Sequence, residues 1–149
     1  MQSIITDEEY QRLMKLRKFF DTTVQLPRVD QQKRYLLHTA DGSEEFQMNI
    51  ERKNVVDFCV IRSKFNKSYQ KQSIFRLEVN GRPHTNPVDY KYIGRNHIHI
   101  YKQGYGLRYA YDLEDYKEHF TDPENISLLF KDICVYCNIE IPDFMPAMW

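Results

Sequence analysis

Hydrophobic positions in the first twenty residues recur at helical spacing. Thr6 followed by Glu9 is a capping-box pair, and the apolar residues after it fall on one side of a helix while lysine and arginine lie between them. This pattern predicts an N-terminal helix from Asp7 to Phe20. Near the other end of the chain, Asp122 as N-cap and a proline at the first helical position predict a second amphipathic helix that continues to about Asn138.

Between the two helices the hydrophobic period shortens to two, which is typical of strands with one buried and one wet face. Asp41-Gly42 stands between two such runs and predicts a hairpin. The predicted strands are Tyr35–Thr39, Glu45–Ile50, Val55–Phe65, Ile74–Val79, His97–Tyr101 and Leu107–Leu113. The sequence thus predicts a single α+β domain over residues 1–149, an antiparallel meander of five or six strands packed against an N-terminal and a C-terminal helix.

Composition narrows the class of protein. The 21 Lys and Arg residues balance the 21 Asp and Glu residues, so overall charge indicates neither nucleic acid nor a membrane surface as a partner. No apolar run approaches the roughly 18 residues of a membrane span, and the N-terminal sequence has no signal-peptide pattern. Three cysteines, an odd number, fit a reducing compartment better than a disulfide framework. These features predict a soluble, cytoplasmic protein with no membrane partner.

Three of the five histidines indicate a metal site. His97 and His99 are two residues apart on a predicted strand, so their side chains share a face about 6–7 Å apart. His84, in the loop before that strand, is the predicted third ligand, and zinc takes imidazole nitrogen readily. Glu78 or Cys59 would complete a four-coordinate structural zinc, and the sequence leaves this choice open.

Other polar side chains near the histidines suggest two further roles. Tyr101 or Asp89 would fix the tautomers of the metal-bound imidazoles. In a second interpretation, Arg76, His97 and His99 belong to a metal-independent endoribonuclease, in which the histidines transfer protons and the arginine stabilises the charged phosphorane. Both interpretations use the same face of the predicted sheet.

Two further motifs have a plainer interpretation. Cys134-x-x-Cys137 has the spacing of zinc and redox motifs, but both cysteines fall on the apolar stripe near the C-terminal end of the second helix, and there is no second cysteine pair. Core packing is therefore predicted for them.

The basic and aromatic run Arg62–Lys71 could contact nucleic acid weakly, although a solvated hairpin turn explains it better.

The segment from Arg76 to Tyr111 carries a recognisable pattern. Its components are Arg76-Leu77-Glu78, Gly81, Pro83-His84, Asn86-Pro87, His97-Ile98-His99-Ile100-Tyr101 and Gly104-Tyr105-Gly106. With this pattern the chain resembles an uncharacterised family of small proteins of phages and prophages of Gram-positive bacteria, over roughly Arg34 to Pro142. Val88-Asp89 stands where that family usually has Asp-Gly, and Gln103 stands where it has an acidic residue. The spacing is also loosely similar to that of small ribonuclease toxins.

The resemblance implies a binding protein more than an enzyme. A phage protein of this size is expected to bind and inhibit a host defence protein, and the type IIA anti-CRISPR group, which blocks the RNA-guided DNA nuclease of type II systems, is the implied class. The partner would then be a CRISPR effector nuclease in the host cytoplasm, the zinc would be structural, and nucleic acid would be bound weakly or not at all. The alternative is an endoribonuclease toxin of a toxin–antitoxin module that uses Arg76, His97 and His99.

Overall fold

The structure, a computed structural model, describes residues 5–63 and 71–146. Its elements in chain order are α1 (Asp7–Lys15), β1 (Phe19–Phe20), β2 (Val24–Gln25), β3 (Gln31–His38), β4 (Glu45–Arg52), β5 (Val56–Ser63), β6 (Gln72–Val79), β7 (His84–Thr85), β8 (Tyr92–Ile93), β9 (His97–Lys102), β10 (Gly106–Asp112), a 3₁₀ helix (Leu113–Tyr116), α2 (Ile126–Tyr136) and β11 (Phe144–Met145). Within these ranges, no helix has the length and apolar character needed to cross a bilayer.

An antiparallel sheet dominates the fold. Its strand order is β1-β3-β4-β5-β6-β9-β10, a meander apart from the short β1 at one edge. The predicted α+β meander is confirmed, but the sheet has seven strands rather than five or six. The predicted hairpin between β3 and β4 is also present, and Gly42 adopts a φ of +72° in its turn, where glycine carries no steric penalty. Two small ladders, β7 with β8 and β11 with β2, lie outside this sheet.

The additional strand comes from a segment that was predicted to be helical. α1 is capped by Thr6, whose hydroxyl accepts from the Glu9 N–H, but it ends at Lys15 instead of Phe20. Phe19 and Phe20 instead pair with β3 as β1. The prediction of a helix to Phe20 was wrong because an apolar pair fits the spacing of a helix end and of a sheet edge equally well.

The second helix begins later than predicted. Its N-cap is Asn125, whose side chain accepts from the Leu128 N–H at 3.1 Å, and not Asp122. Asp122 instead accepts the Asn125 N–H through its backbone carbonyl in a turn that precedes the helix. Both residues are good N-caps by type, so the sequence signal alone did not distinguish them.

Both helices cover the same face of the sheet. Tyr10 of α1 stacks on Tyr101 of β9 with ring centroids 5.1 Å apart, and Phe130 of α2 lies 6.4 Å from Phe58 of β5. These residues belong to one buried cluster that runs across the sheet. The opposite face is polar and has no helix on it in the described part of the chain.

A buried lysine joins the ends of the two helices. Lys18 is fully buried, and its ammonium donates to the backbone carbonyls of Met14, Leu16 and Cys137 at 3.3, 2.9 and 2.8 Å. Burial lowers the pKa of Lys18 to about 8. Because helix ends leave carbonyls without helical partners, one side chain here satisfies groups at the C-terminal ends of both α1 and α2.

Candidate functional site

Strand register places two rows of mostly polar residues across the open face of the sheet, the face on which the described residues place no helix. Each row runs from β4 through β5, β6 and β9 to β10. The first row contains Asn49, Cys59, Arg76, His99 and Ala110, and the second contains Glu51, Asp57, Glu78, His97 and Asp112. Because side chains of paired residues point to the same side of a sheet, titratable groups from five strands meet on this face.

Glu78, His97 and His99 form the centre of the site. Glu78 Oε1 lies 3.0 Å from His97 Nε2 and 3.5 Å from His99 Nε2, and the three ligand atoms lie within 4.8 Å of one another. His97 and His99 are only 1% and 8% exposed. These three residues could hold a metal ion. Within residues 5–63 and 71–146 they are the one group of histidine, cysteine and acidic residues whose ligand atoms lie this close together.

Backbone carbonyls fix the orientation of both imidazoles. His97 Nδ1 lies 2.8 Å from the Gly94 carbonyl, and His99 Nδ1 lies 2.7 Å from the Leu107 carbonyl. A carbonyl oxygen can only accept, so both Nδ1 atoms carry a hydrogen and both Nε2 atoms face the Glu78 carboxylate. If both imidazoles were neutral, their Nε2 lone pairs would point at a carboxylate oxygen. The arrangement therefore requires a proton or a metal ion between them.

Without a metal, a proton stabilises the centre. The hydrogen bond from His97, followed by that from His99, holds the pKa of the Glu78 carboxyl far below its usual range. Burial opposes protonation of His97, but its bonds to Glu78 and to the Gly94 carbonyl outweigh burial and raise the pKa of His97. Protons and a divalent cation would compete for the same nitrogen.

His84 lies beside this centre but not within it. Its ring centroid is 5.3 Å from that of His99 and 6.3 Å from that of His97. His84 Nε2 donates to the Arg108 carbonyl at 2.6 Å, so only its Nδ1 is left as a possible ligand. Burial lowers the pKa of His84, which favours the neutral form that metals require.

Glu78 and Cys59 were the two candidates for the remaining metal ligand. The structure places Glu78 beside His97 and His99 but places Cys59 away from them. Cys59 lies in the neighbouring row, where its thiol contacts the Ser73 hydroxyl at 3.8 Å. Burial raises the pKa of Cys59, so the thiol stays protonated. Among the described residues, neither Cys59 nor His84 belongs to the group whose ligand atoms lie within 4.8 Å of one another.

Tyr101 and Asp89 do not orient the histidines, contrary to the prediction. The Tyr101 hydroxyl donates to the Ile5 carbonyl at 2.6 Å, on the helix-covered side of the sheet. Asp89 accepts the Lys91 N–H at 3.0 Å within its own loop. The carbonyls of Gly94 and Leu107 take this role, and a backbone group leaves no signal in the sequence.

Two side chains that were not predicted hold the loop between β6 and β9 in place. Asn86 is 3% exposed, its amide donates to the Ala110 carbonyl at 2.9 Å, and its oxygen accepts the Ala110 N–H at 2.8 Å. Asp112 Oδ1 accepts the Gly94 N–H at 3.0 Å. Since the Gly94 carbonyl orients His97, Asp112 supports the histidine indirectly. The Asn-Pro dipeptide at Asn86 was the available signal for the first of these contacts.

Arg76 is an accessible cation near the centre of this face. Its side chain is 44% exposed, and its guanidinium bonds Asp57 Oδ2 at 2.8 Å and lies 3.8 Å from Glu78 Oε2. A depression of about 200 Å³ opens here, lined by Gln32, Asn49, Glu51, Asp57, Cys59 and Arg76. The structure thus brings Arg76, His97 and His99 onto adjoining strands, as the ribonuclease interpretation requires, but Arg76 is already paired with two carboxylates.

The remaining motifs lie in the core or outside the described residues. Cys134 and Cys137 are fully buried, and burial raises the pKa of Cys134 to about 12, so core packing is confirmed. In the run Arg62–Lys71, residues 64–70 lie outside the described part of the chain. Arg62 itself is 4% exposed and binds the Glu44 carboxylate with two N–H groups at 3.1 and 2.9 Å. Its guanidinium is therefore not available to nucleic acid.

Comparison with known proteins places the chain in a family. Residues 5–139 match a family whose description reads "Family of unknown function (DUF6978)". No curated protein matches the chain. No solved structure matches it either. The family description names no source and no activity, so the phage origin and the anti-CRISPR or toxin function stay predictions.

Proposed function

The chain belongs to a family of unknown function, DUF6978, and we propose that it is a metalloprotein in which Glu78, His97 and His99 bind one divalent transition-metal ion. The observation that carries this proposal is the pair of Nδ1–H bonds to backbone carbonyls, which direct two Nε2 atoms to one carboxylate oxygen. Histidine ligands in metal sites have such a bond on the other ring nitrogen. Imidazole and carboxylate ligands suit zinc, and zinc is the proposed ion.

The proposed role of the ion is structural. His97 and His99 are buried and Glu78 is half-buried. Since Glu78 belongs to β6 and both histidines belong to β9, the ion would fasten these two strands together through their side chains. Three protein ligands leave one position of a tetrahedral site free. His84 is the nearest further imidazole and would close the site if its Nδ1 turned toward the other ligands. Otherwise water takes the fourth position.

The partner that we propose is a nuclease of a bacterial defence system, with the type II CRISPR effector as first candidate. The resemblance to phage proteins supports this choice, and the geometry adds a rigid, polar sheet face with the exposed Arg76 at its centre. The endoribonuclease alternative receives less support. A general acid or base must contact its substrate, and His97 is 1% exposed with hydrogen bonds on both ring nitrogens.

Metal binding is tested on protein stripped with a chelator and titrated with zinc by calorimetry. One ion per chain is expected, and zinc at 1,000 times its dissociation constant should add about 4 kcal/mol to the free energy of unfolding. Glu78→Gln is nearly isosteric and should weaken zinc binding at least about 100-fold. This exceeds the loss in affinity that typically follows mutation of a residue that only hydrogen-bonds to a metal ligand. His38→Gln, a histidine of β3 outside the site, is the matched control and should bind as the wild type does.

Two variants separate the finer choices. If His84 completes the site, His84→Gln weakens zinc binding to the same degree as Glu78→Gln, and if water does, the affinity hardly changes. An absence of zinc binding in the wild type would refute the metal proposal. For the partner, the purified protein is added to a type II effector with its guide RNA, and inhibited DNA cleavage is expected. Growth arrest and RNA cleavage that are lost in a folded His99→Ala variant would instead establish the toxin.

A further inference from the structure

The hairpin formed by β7 and β8 ends in a strained tip (residues 87–92) that exposes large side chains. Val88, Tyr90 and Tyr92 are 66%, 77% and 67% exposed. Val88 and Tyr90 also have φ angles of +71° and +56°. Positive φ is unfavourable for β-branched and aromatic residues, and such strain persists where the surrounding structure imposes it, commonly at functional sites. The strained backbone of the tip therefore indicates a functional role for this segment.

Hydrogen bonds hold the tip in one conformation. The Asn86 N–H donates to the Lys91 carbonyl at 2.9 Å, and the Asp89 N–H donates to the Pro87 carbonyl at 2.8 Å. The Lys91 N–H donates to Asp89 Oδ1 at 3.0 Å, and the Asn86 side chain ties the base of the hairpin to β10. The two exposed tyrosines are thus presented on a rigid support, which lowers the entropy cost of binding.

The charge of this segment differs from that of the chain. Residues 80–96 contain three basic residues, Arg82, Lys91 and Arg95, all exposed, and one acidic residue, Asp89. The Asp89 carboxylate already accepts the Lys91 N–H. The segment carries a formal charge of +2 while the whole chain is neutral, and its tip alternates aromatic and basic side chains in Tyr90-Lys91-Tyr92.

We propose that the hairpin tip binds single-stranded nucleic acid. Bases stack on Tyr90 and Tyr92, the Lys91 ammonium contacts the phosphate between them, and Arg82 and Arg95 attract the strand at the base of the hairpin. Rings that stand free in solvent beside cations are the elements of sequence-tolerant recognition of single strands. None of the side chains that contact the strand belongs to the metal centre.

The test is fluorescence anisotropy with labelled 12-nucleotide oligo(U) and oligo(dT), on protein with and without chelator. Tyr90→Leu and Tyr92→Leu keep an apolar side chain but remove the ring, and each should weaken binding about 5- to 150-fold. Tyr111→Leu is the matched control and should bind normally. Tyr111 is also exposed, at 37%, but its register with Ile98 places it on the helix-covered face.

A second pair of variants tests the phosphate contact. Lys91→Ala should reduce the slope of log affinity against log salt by about 0.7, the value of one contact to a single strand. Lys131→Ala, an exposed lysine of α2, should leave the slope unchanged. All five exposed substitutions should fold as the wild type does by circular dichroism.

Two anisotropy results would overturn the proposal. One is the lack of oligonucleotide binding by the wild type at 50 mM salt. The other is binding that Tyr90→Leu and Tyr92→Leu leave intact and that both lysine variants weaken alike, which would indicate diffuse charge attraction. Crosslinking of the tip to a protein in place of an oligonucleotide would likewise refute it. A difference between oligo(U) and oligo(dT) would identify RNA or DNA as the preferred strand.

Discussion

Replacement of Asn86 by alanine should destabilise the fold by about 2–4 kcal/mol. The Asn86 side chain makes two hydrogen bonds to the backbone of Ala110, at 2.9 and 2.8 Å, and both residues are buried. In the alanine variant, the N–H and the C=O of Ala110 lose their partners, and each unsatisfied buried group costs about 1–3 kcal/mol. Water that enters after local opening offsets part of this cost. The expected loss is therefore about 2–4 kcal/mol, the lower half of the summed cost of the two groups.

Urea unfolding followed by circular dichroism measures this loss. With a slope of about 2 kcal/mol per molar, the midpoint should fall by roughly 1–2 M. Asn86→Asp keeps the acceptor but turns a carboxylate oxygen toward the Ala110 carbonyl, so at neutral pH it should be at least as destabilising as alanine. Asn54→Ala, at an exposed position, is the control and should stay within about 0.5 kcal/mol of wild type. An Asn86→Ala variant as stable as this control would refute the proposed attachment of the hairpin to β10.

Three other predictions concern charge and burial. In chelator, Glu78→Gln should lower the free energy of unfolding most between roughly pH 4.5 and 6.5. The lowered pKa of Glu78 stabilises the fold fully above the pKa of an unfolded glutamate, and the raised pKa of His97 stabilises it fully below the pKa of an unfolded histidine. Urea midpoints that show the same loss at pH 8.5 would contradict this. Arg62→Met should cost about 3 kcal/mol in the same assay because Glu44 stays buried with less compensation, and a loss under 1 kcal/mol would show that the pair matters little. Iodoacetamide at pH 8 should leave Cys134 unmodified in the native protein and label it in urea, since burial raises the pKa of this thiol to about 12, and native labelling seen by mass spectrometry would refute its burial.

The sequence predicted the parts of the site that lie on a single strand. Alternation in β9 put His97 and His99 on one face, and alternation in β6 put Glu78 opposite its apolar neighbours. It did not predict that Glu78 pairs directly with His97, because register between β6 and β9 depends on a hairpin whose conformation the sequence does not reveal. Glu78 and Cys59 were therefore equivalent candidates until the strands were aligned.

The features that the sequence did not predict arise from interactions that local patterns do not encode. Lys18 has the sequence context of a solvated helix residue, yet it is fully buried among carbonyls from both helices. This burial accompanies the early end of α1 and the formation of β1. His84 was placed correctly near the other histidines, but its Nε2 bond to the Arg108 carbonyl depends on the edge of β10. Both cases involve a backbone carbonyl that is distant in sequence, that of Cys137 for Lys18 and that of Arg108 for His84.

The parallel ladder between β2 and β11 sets an order of events during synthesis. Val24 pairs with Phe144, a residue 120 positions later, and the Lys18 backbone pairs with Ile139. Contacts this distant in sequence form slowly and only after both segments exist. While the chain emerges from the ribosome, the central hairpins can assemble and β1 can pair with β3, but β2 and the Lys18 backbone still lack their partners. A nascent chain halted before residue 139 should therefore hold a formed sheet and an unpaired β2, accessible to chaperones and proteases until β11 has been synthesised.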